Sequence, residues 1–298
     1  MGERFRRIAI LGLGLIGGSV ALALRKRGQV EEVAGYDPLP GRAERARQRD
    51  AITQAAASPQ EAVRGAELVV LAAPVGAMRP LLAAIAPALD PAALVTDTGS
   101  VKRPVCAAAA ELLPNPSRFV GGHPMAGREQ AGIEAADVAL FEGAVWCLTP
   151  DRTTGGAALA RVEALVLALG AEPHTLDVEQ HDALVAGISH LPLAAAAALV
   201  ATVVAHPSGA EALQLAAGGF RDTTRIASGS PIMARDVLLA NADNVTAWLD
   251  RYIAELAHLR ALVASGDAEG IERAFATAGD ARDAWLAQRS NTKRPHTP

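Results

Sequence analysis

The sequence predicts an α/β domain with a doubly wound, mostly parallel sheet over residues 1–176, followed by an all-helical domain over residues 177–298. Three observations carry that expectation. Through the first half, short apolar runs alternate with helix-like segments, the pattern of a parallel sheet covered on both faces. A Gly-rich turn follows the first run and opens a helix-like segment. From about residue 177 strand signals stop and Ala/Leu-rich segments take over.

The elements follow in order. "RIAILGLG" (7–14) is an apolar strand ending in glycines, and "SVALALRKRG" (19–28) is a helix closed by Gly28. "EVAGYDP" (32–38) is a second strand and "GRAERARQRD" (41–50) a charged helix. In "SPQEAVRG" (58–65), Ser58 is the N-cap, Pro59 the first helical residue and Glu61 the partner in a capping box. "AELVVLAAP" (66–74) and "AALVTDTGS" (92–100) are apolar strands, each followed by a helix. "RFVGGHP" (118–124) and "AVWCLTP" (144–150) are further strands. The second half divides into helical segments 177–205, 208–217, 231–263 and 268–289, with Ser230-Pro231 opening the third. The tail "SNTKRPHTP" reads as disordered.

Composition narrows the function classes. The chain has 298 residues, half of them hydrophobic and only 3% aromatic, so its core is built from Ala, Leu and Val. A net charge of −4 offers no basic field for nucleic acid. Cys106 and Cys147 lack metal-ligand spacing, and no bound metal is expected; a reducing cytoplasm is the simplest setting. The N-terminus lacks the long apolar stretch and cleavage site of a signal peptide. "LPLAAAAALVATVVA" (191–205) is shorter than the ~20 residues of a membrane span. It reads instead as a helix buried on most sides, in a core or a subunit interface, and no membrane partner is expected.

"ILGLGLIGGSV" holds Gly12-x-Gly14-x-x-Gly17, with Asp37 twenty residues on at the end of the second strand. A strand before it and a helix after it make this a dinucleotide-binding fingerprint. Gly12 permits the tight turn, Gly14 admits a pyrophosphate and Gly17 lets helix and strand pack closely. The helix start at Leu15 and Ile16 faces the phosphates. Asp37 accepts from a ribose hydroxyl and repels a 2′-phosphate, which points to NAD, with Arg42 close enough to leave NADP open. Strand ends at Pro74, Ser100 and His123 then surround the nicotinamide. A lone His beside an apolar run is ordinarily a satisfied core residue; beside a nicotinamide, neutral imidazole is a fitting base for a hydroxyl proton.

In the helical half, Arg225 follows a Gly/Thr-rich turn, where it either clamps a carboxylate or pairs with Asp222 or Asp236. His181 and His190, nine residues apart, lie about half a turn out of phase on a regular helix and are not expected to face one pocket. Lys102 either closes the turn after Ser100 or lies in solvent.

The motifs "GLGLIGGS", "YDP", "DTGSVK", "FVGGHPMAGREQAG", "FEGAVWCLTP", "HDALVAGISHLP" and "GGFRDTTRIASGSPIMARD" resemble, in order and spacing, those of prephenate dehydrogenases, from about residue 7 to about 265. The resemblance implies a Rossmann domain joined to a helical domain through which two chains pair. It implies NAD(P)⁺-dependent oxidation of prephenate to 4-hydroxyphenylpyruvate and CO₂ in tyrosine biosynthesis, or of arogenate to tyrosine. His123 matches the family's catalytic His, Ser100 the Ser that orients substrate hydroxyl and nicotinamide, and Arg225 the Arg that binds a substrate carboxylate. Glu129 matches a polar position near the pocket mouth, and His190, in "SHLP", is a further substrate-binding candidate. Some members read "SHLPH" where this chain has Leu193, which leaves prephenate against arogenate open. No regulatory domain is expected after the helical half, so feedback by tyrosine would act at the active site.

Two rivals were weighed. A β-hydroxyacid dehydrogenase needs a Lys in the helical domain, and none lies between Lys102 and Lys293. A redox-sensing NAD-binding dimer without catalysis would have no need of Ser100, His123 and Arg225 together.

Overall fold

Strands apolar on both faces need cover on both sides, and the computed structural model supplies it; it describes residues 4–128 and 130–292. Among these, eight strands form one sheet: β1 (Phe5–Leu11), β2 (Val30–Tyr36), β3 (Gln54–Ala55), β4 (Leu68–Leu71), β5 (Leu94–Asp97), β6 (Phe119–Pro124), β7 (Val145–Thr149) and β8 (Glu172–Thr175). Their order is β3-β2-β1-β4-β5-β6-β7-β8. All neighbours run parallel except β6 and β7, where His123 stands opposite Cys147.

Helices α1 (Leu15–Lys26), α2 (Arg42–Gln48), α3 (Pro59–Val63), α4 (Val75–Ile85), α5 (Arg103–Leu112) and α6 (Gly156–Ala168) alternate with the strands. Along β1, Ile8 and Ile10 join one core with α1 and α6, while Ala9 and Leu11 join a second core with α3, α4 and α5. Along β4, Leu68 and Val70 join the first core and Val69 and Leu71 the second. This division by alternate residues is why the strands read as unbroken apolar runs.

The predicted caps form. Ser58 accepts from the Glu61 N–H at 3.1 Å, and Glu61 reaches back to the Ala57 N–H at 2.8 Å, one residue before the position a capping box uses. Ser230 accepts from the Met233 N–H at 3.3 Å. β8 was not foreseen: its sequence EPHT carries no apolar pattern, and it joins the sheet through backbone pairing at the β7 edge.

After β8 come α7 (Val178–Val185), a π-helical turn (Ala186–His190), α8 (Leu191–Ala205), α9 (Gly209–Leu215), α10 (Gly218–Thr224), a 3-10 turn (Arg225–Ser228), α11 (Pro231–Ala240), α12 (Ala242–Ser265) and α13 (Ala268–Thr292). The structure corrects four expectations here. The Gly/Thr-rich stretch expected as a turn is helical α10, where Thr223 and Thr224 donate to the carbonyls of Gly219 and Phe220 one turn back. The expected helix 231–263 breaks at Asn241, whose side chain is drawn into buried hydrogen bonds. α13 runs to Thr292, into the segment expected to be disordered; residues 293–298 lie outside the described residues. The segment 191–205 belongs to a continuous helical stretch, Val178–Ala205, of 28 residues whose most apolar 18-residue window has mean hydropathy 1.9, long and apolar enough by length and composition to cross a membrane. Within the chain only Ala196 of α8 is buried, so the expected burial in a core is not met here.

By contacts the chain divides between Asn244 and Val245, and α7–α11 belong to the unit that holds the sheet. Beyond that division, Leu259, Val263, Ile271 and Phe275 of α12 and α13 line one apolar pocket.

Lys102 is fully buried, which settles its two readings against solvent. Its ammonium pairs with the buried Asp97 carboxylate and donates to the Gly122 carbonyl at 2.6 Å. Asp97 also accepts from the N–H groups of Gly99 (2.7 Å) and Gly122 (3.0 Å), so the pair clamps the ends of β5 and β6 to the start of α5. Lys102→Met would strand the Asp97 charge without its partner, at a cost of about 3–5 kcal/mol. Urea unfolding should show that loss in the midpoint; a change under about 1 kcal/mol would remove the pair from the fold's support.

Candidate active site

The chain leaves β1 for β2 and β3 on one side and returns to β4–β6 on the other, which opens a crevice at the C-terminal ends of β1 and β4. Gly12, at φ +103°, turns there so tightly that a Cβ would sit 2.2 Å from the Ala72 carbonyl oxygen. A Cβ on Gly17 would sit 1.9 Å from the Gly12 oxygen, so α1 and the turn touch backbone to backbone. Gly14 is the contrast: a Cβ there would meet nothing within 4 Å. Its open side lies at the N-terminus of α1, where no side chain caps the helix and the first-turn N–H groups of Leu15 and Ile16 have no intrahelical acceptor. A pyrophosphate fits that space and those donors. Pro74 caps α4 at the end of β4, on the other side of the switch point.

Asp37 stands at the end of β2 with its side chain buried. It accepts from the Leu13 N–H at 2.8 Å and the Leu39 N–H at 2.9 Å, and Arg42 approaches at 3.4 Å. The carboxylate therefore also ties the Gly-rich turn to β2.

At the far end of the crevice the two glycines before His123 are explained by crowding. A Cβ on Gly122 would lie 2.6 Å from the Asp97 carbonyl oxygen and 2.9 Å from the Trp146 ring nitrogen. The close fit holds β6 against β5 and β7 and fixes where His123 emerges. His123 Nδ1 lies 2.9 Å from His181 Nε2, and His181 Nδ1 lies 2.8 Å from Asp182 Oδ1. All three residues are buried. Asp182 also accepts from the N–H groups of Lys102 (2.7 Å) and Arg103 (2.9 Å) at the start of α5.

These contacts assign the protons. Burial pushes the Asp182 carboxyl up, but the His181 ring and the two backbone N–H groups outweigh it and hold the carboxyl below its ordinary range. An ionised Asp182 only accepts, so His181 carries its proton on Nδ1 and offers the Nε2 lone pair to His123. His123 then donates from Nδ1, and its own Nε2 is left with a lone pair. Burial, then the cost of adding a positive charge beside His181, Lys102 and His190, keeps His123 deprotonated well below the usual imidazole range. His190 is pushed from 6.5 down to about 4, chiefly by burial.

His181 and His190 meet in one cluster, contrary to the phase of a regular helix. The π turn between them widens the hydrogen-bonding from i→i+4 to i→i+5 and shifts the phase of everything after it. Ser100 lies half-buried between β5 and α5. Arg225 opens the 3-10 turn Arg225–Ser228, which packs against α8. Glu129 lies outside the described residues. Sequence reasoning missed Asp97, Asp182 and Asn241, and did not expect His181 to share a pocket with His190. The only signal was the "HD" pair at 181–182 beside an apolar helix.

Comparisons with known proteins identify the family. A model for the nucleotide-binding domain of prephenate dehydrogenase matches residues 20–174, and one for its dimerization domain matches residues 177–277. This chain belongs to the prephenate dehydrogenase family. Prephenate dehydrogenase of Bacillus subtilis is 39% identical over 93% of this chain and 75% of its own length. Cyclohexadienyl dehydrogenase of Zymomonas mobilis is 37% identical over 93% of this chain and 95% of its own. The crystal structure of Aquifex aeolicus prephenate dehydrogenase with hydroxyphenyl propionate and NAD⁺ has a TM-score of 0.89 at 31% identity, over 95% of this chain and 99% of that one. Arogenate dehydrogenase of Synechocystis has a TM-score of 0.79 at 32% identity, over 94% of this chain and 99% of that one.

The depressed histidines make the stability of this family member depend on acid. In the unfolded chain they take up protons near 6.5, whereas folded His190 resists until about 4. Stability present above 6.5 is therefore lost as pH falls, His190 alone contributing a loss on the order of 3 kcal/mol by pH 4. Urea midpoints between pH 7 and 4.5 should fall more steeply for the wild type than for His190→Gln. Parallel slopes would show that His190 is not held neutral.

Proposed function

We propose that this chain is an NAD-dependent prephenate dehydrogenase, converting prephenate to 4-hydroxyphenylpyruvate and CO₂ in tyrosine biosynthesis. The observation that carries the reading is the hydrogen-bonded series His123–His181–Asp182, which leaves a neutral imidazole nitrogen at the end of β6. Bound NAD⁺ supplies the acceptor for the hydride leaving C4 of the substrate. His123 Nε2 takes the C4 hydroxyl proton, and the charge that develops on the ring is compensated by Asp182 through His181. As CO₂ departs, its bonding pair enters the ring, the C4 oxygen becomes a phenolate and His123 returns the proton. Ser100 orients the hydroxyl, Arg225 holds a substrate carboxylate, and Glu129 matches the polar position that the family has near the pocket mouth; these roles rest on the motifs that carry them. The first-turn N–H groups of Leu15 and Ile16 beside Gly14 would hold the pyrophosphate, and Asp37 the adenosine ribose, which favours NAD⁺ over NADP⁺.

The cyclohexadienyl dehydrogenase and arogenate dehydrogenase relatives, together with Leu193, support a second reading in which arogenate is also oxidised. We place the functional boundary at 176/177; a family model that ends at residue 174 and one that begins at residue 177 support it. The cytoplasm is the proposed setting, supported by two buried free thiols.

His123→Asn keeps a similar shape and removes the basic nitrogen, so kcat with prephenate and NAD⁺ should fall roughly 10²–10⁴-fold while NAD⁺ affinity stays the same. In the wild type the acid limb of kcat/KM should lie below the 6.5 of ordinary imidazole, because His123 is held deprotonated, and it should vanish in the variant. Wild-type turnover in His123→Asn would assign the base elsewhere.

We also propose a homodimer formed through the helical half. The nearly unburied apolar helix α8 supports it. Sedimentation at micromolar concentration should give a dimer; a fully active monomer would refute the pairing.

A further inference from the structure

Asn241, the first residue after α11, is fully buried between the two histidine-bearing segments. Its Nδ2 lies 2.8 Å from the Asp182 carbonyl oxygen, a group that only accepts. Its Oδ1 lies 3.1 Å from Arg103 Nη2, a group that only donates, and 2.9 Å from Asn244 Nδ2. The amide orientation is thus fixed at both ends. The second hydrogen on Nδ2 faces His190 Nδ1 at 3.3 Å. A donor at that place requires a lone pair on Nδ1, so neutral His190 carries its proton on Nε2.

That Nε2–H is buried and has no hydrogen-bond partner among the described residues. Burying an unpaired donor is costly, and a partner that arrives with a ligand accounts for its retention. His190 belongs to the same buried cluster as the base, joined to it through Asn241, Asp182 and His181. Asp182 therefore sets two rings in opposite senses. Its carboxylate, through His181, leaves His123 an acceptor. Its carbonyl, through Asn241, leaves His190 a donor.

We propose that Asn241 is a positioning residue that locks His190 as a hydrogen-bond donor to an oxygen of the substrate, and that this donor helps select the substrate. The substrate part rests on the reaction proposed above. Prephenate presents four acceptor groups: two carboxylates, a side-chain keto oxygen and the C4 hydroxyl oxygen. Arogenate carries an ammonium in place of the keto group, and an ammonium has no lone pair to receive this hydrogen.

Asn241→Asp tests the lock. A carboxylate has no hydrogen to give; it would draw the His190 proton onto Nδ1 and leave Nε2 as an acceptor, while still accepting from Arg103 and Asn244. ¹⁵N shifts of the ligand-free wild type should report an Nε2–H ring at His190, and those of the variant an Nδ1–H ring. The variant's kcat/KM for prephenate should fall about 10- to 100-fold, mostly through KM. A fall confined to prephenate identifies the keto oxygen as the partner and supports its part in selection; an equal fall for arogenate identifies a carboxylate or the C4 hydroxyl, which supports the donor and overturns its part in selection. If the variant does not fold, His190→Gln, which keeps an N–H, should hold the prephenate KM closer to the wild type than His190→Leu. An Nδ1–H ring in the ligand-free wild type overturns the proposal, as does an unchanged KM after the tautomer switch or equal KM values for His190→Gln and His190→Leu. A wild type that shows the Nε2–H ring yet does not oxidise prephenate overturns the reaction and the substrate role, and leaves the lock standing.

Discussion

The buried Asp182 carboxylate is the interaction on which the site depends. It comes from α7, yet it takes the backbone N–H groups of Lys102 and Arg103 at the start of α5, a helix whose own N-cap residue supplies no capping side chain. An anion at that helix end is favoured by the unpaired N–H groups and by the helix dipole. One bond pattern thus docks the first helical segment onto the sheet and orders the ring that touches His123. Arg103 extends the network on the surface side, reaching Asn241 at 3.1 Å and also pairing with Asp243.

A second buried ion pair lies within a few residues of the first. Lys102 and Asp97 are both sealed from solvent, and their hydrogen bonds run to backbone groups of β6 and the β5–α5 turn. Such a pair adds little net stability compared with apolar packing, but it tolerates no missing member. Its position also places a fixed positive charge near His123, which favours the neutral ring that a base requires.

The π turn is the local irregularity that makes the cluster possible. A regular helix through 178–205 would set His181 and His190 on different faces. The wider turn at Ala186–His190 brings the second ring to Asn241 while the apolar helix continues beyond it. Extra turns of this kind recur at functional sites, where one added residue re-aims a side chain at small cost to the rest of the helix.

The sequence by itself determined the α/β architecture, the Gly12–Gly17 turn, Asp37 at the second strand end and the emergence of His123 beside them. Each is written in local terms: apolar runs, a glycine spacing and a strand end. Tertiary structure alone decided what activates His123 and what sets His190. Those partners lie 58 and 51 residues away in the chain and meet side chain to side chain in contacts that no motif encodes. Lys102 was legible only as a choice between turn and solvent, because its burial depends on Asp97 and Gly122 closing around it. α8 was legible as apolar but not as unburied within its own chain, since apolar periodicity records that a face seeks cover and not which surface provides it.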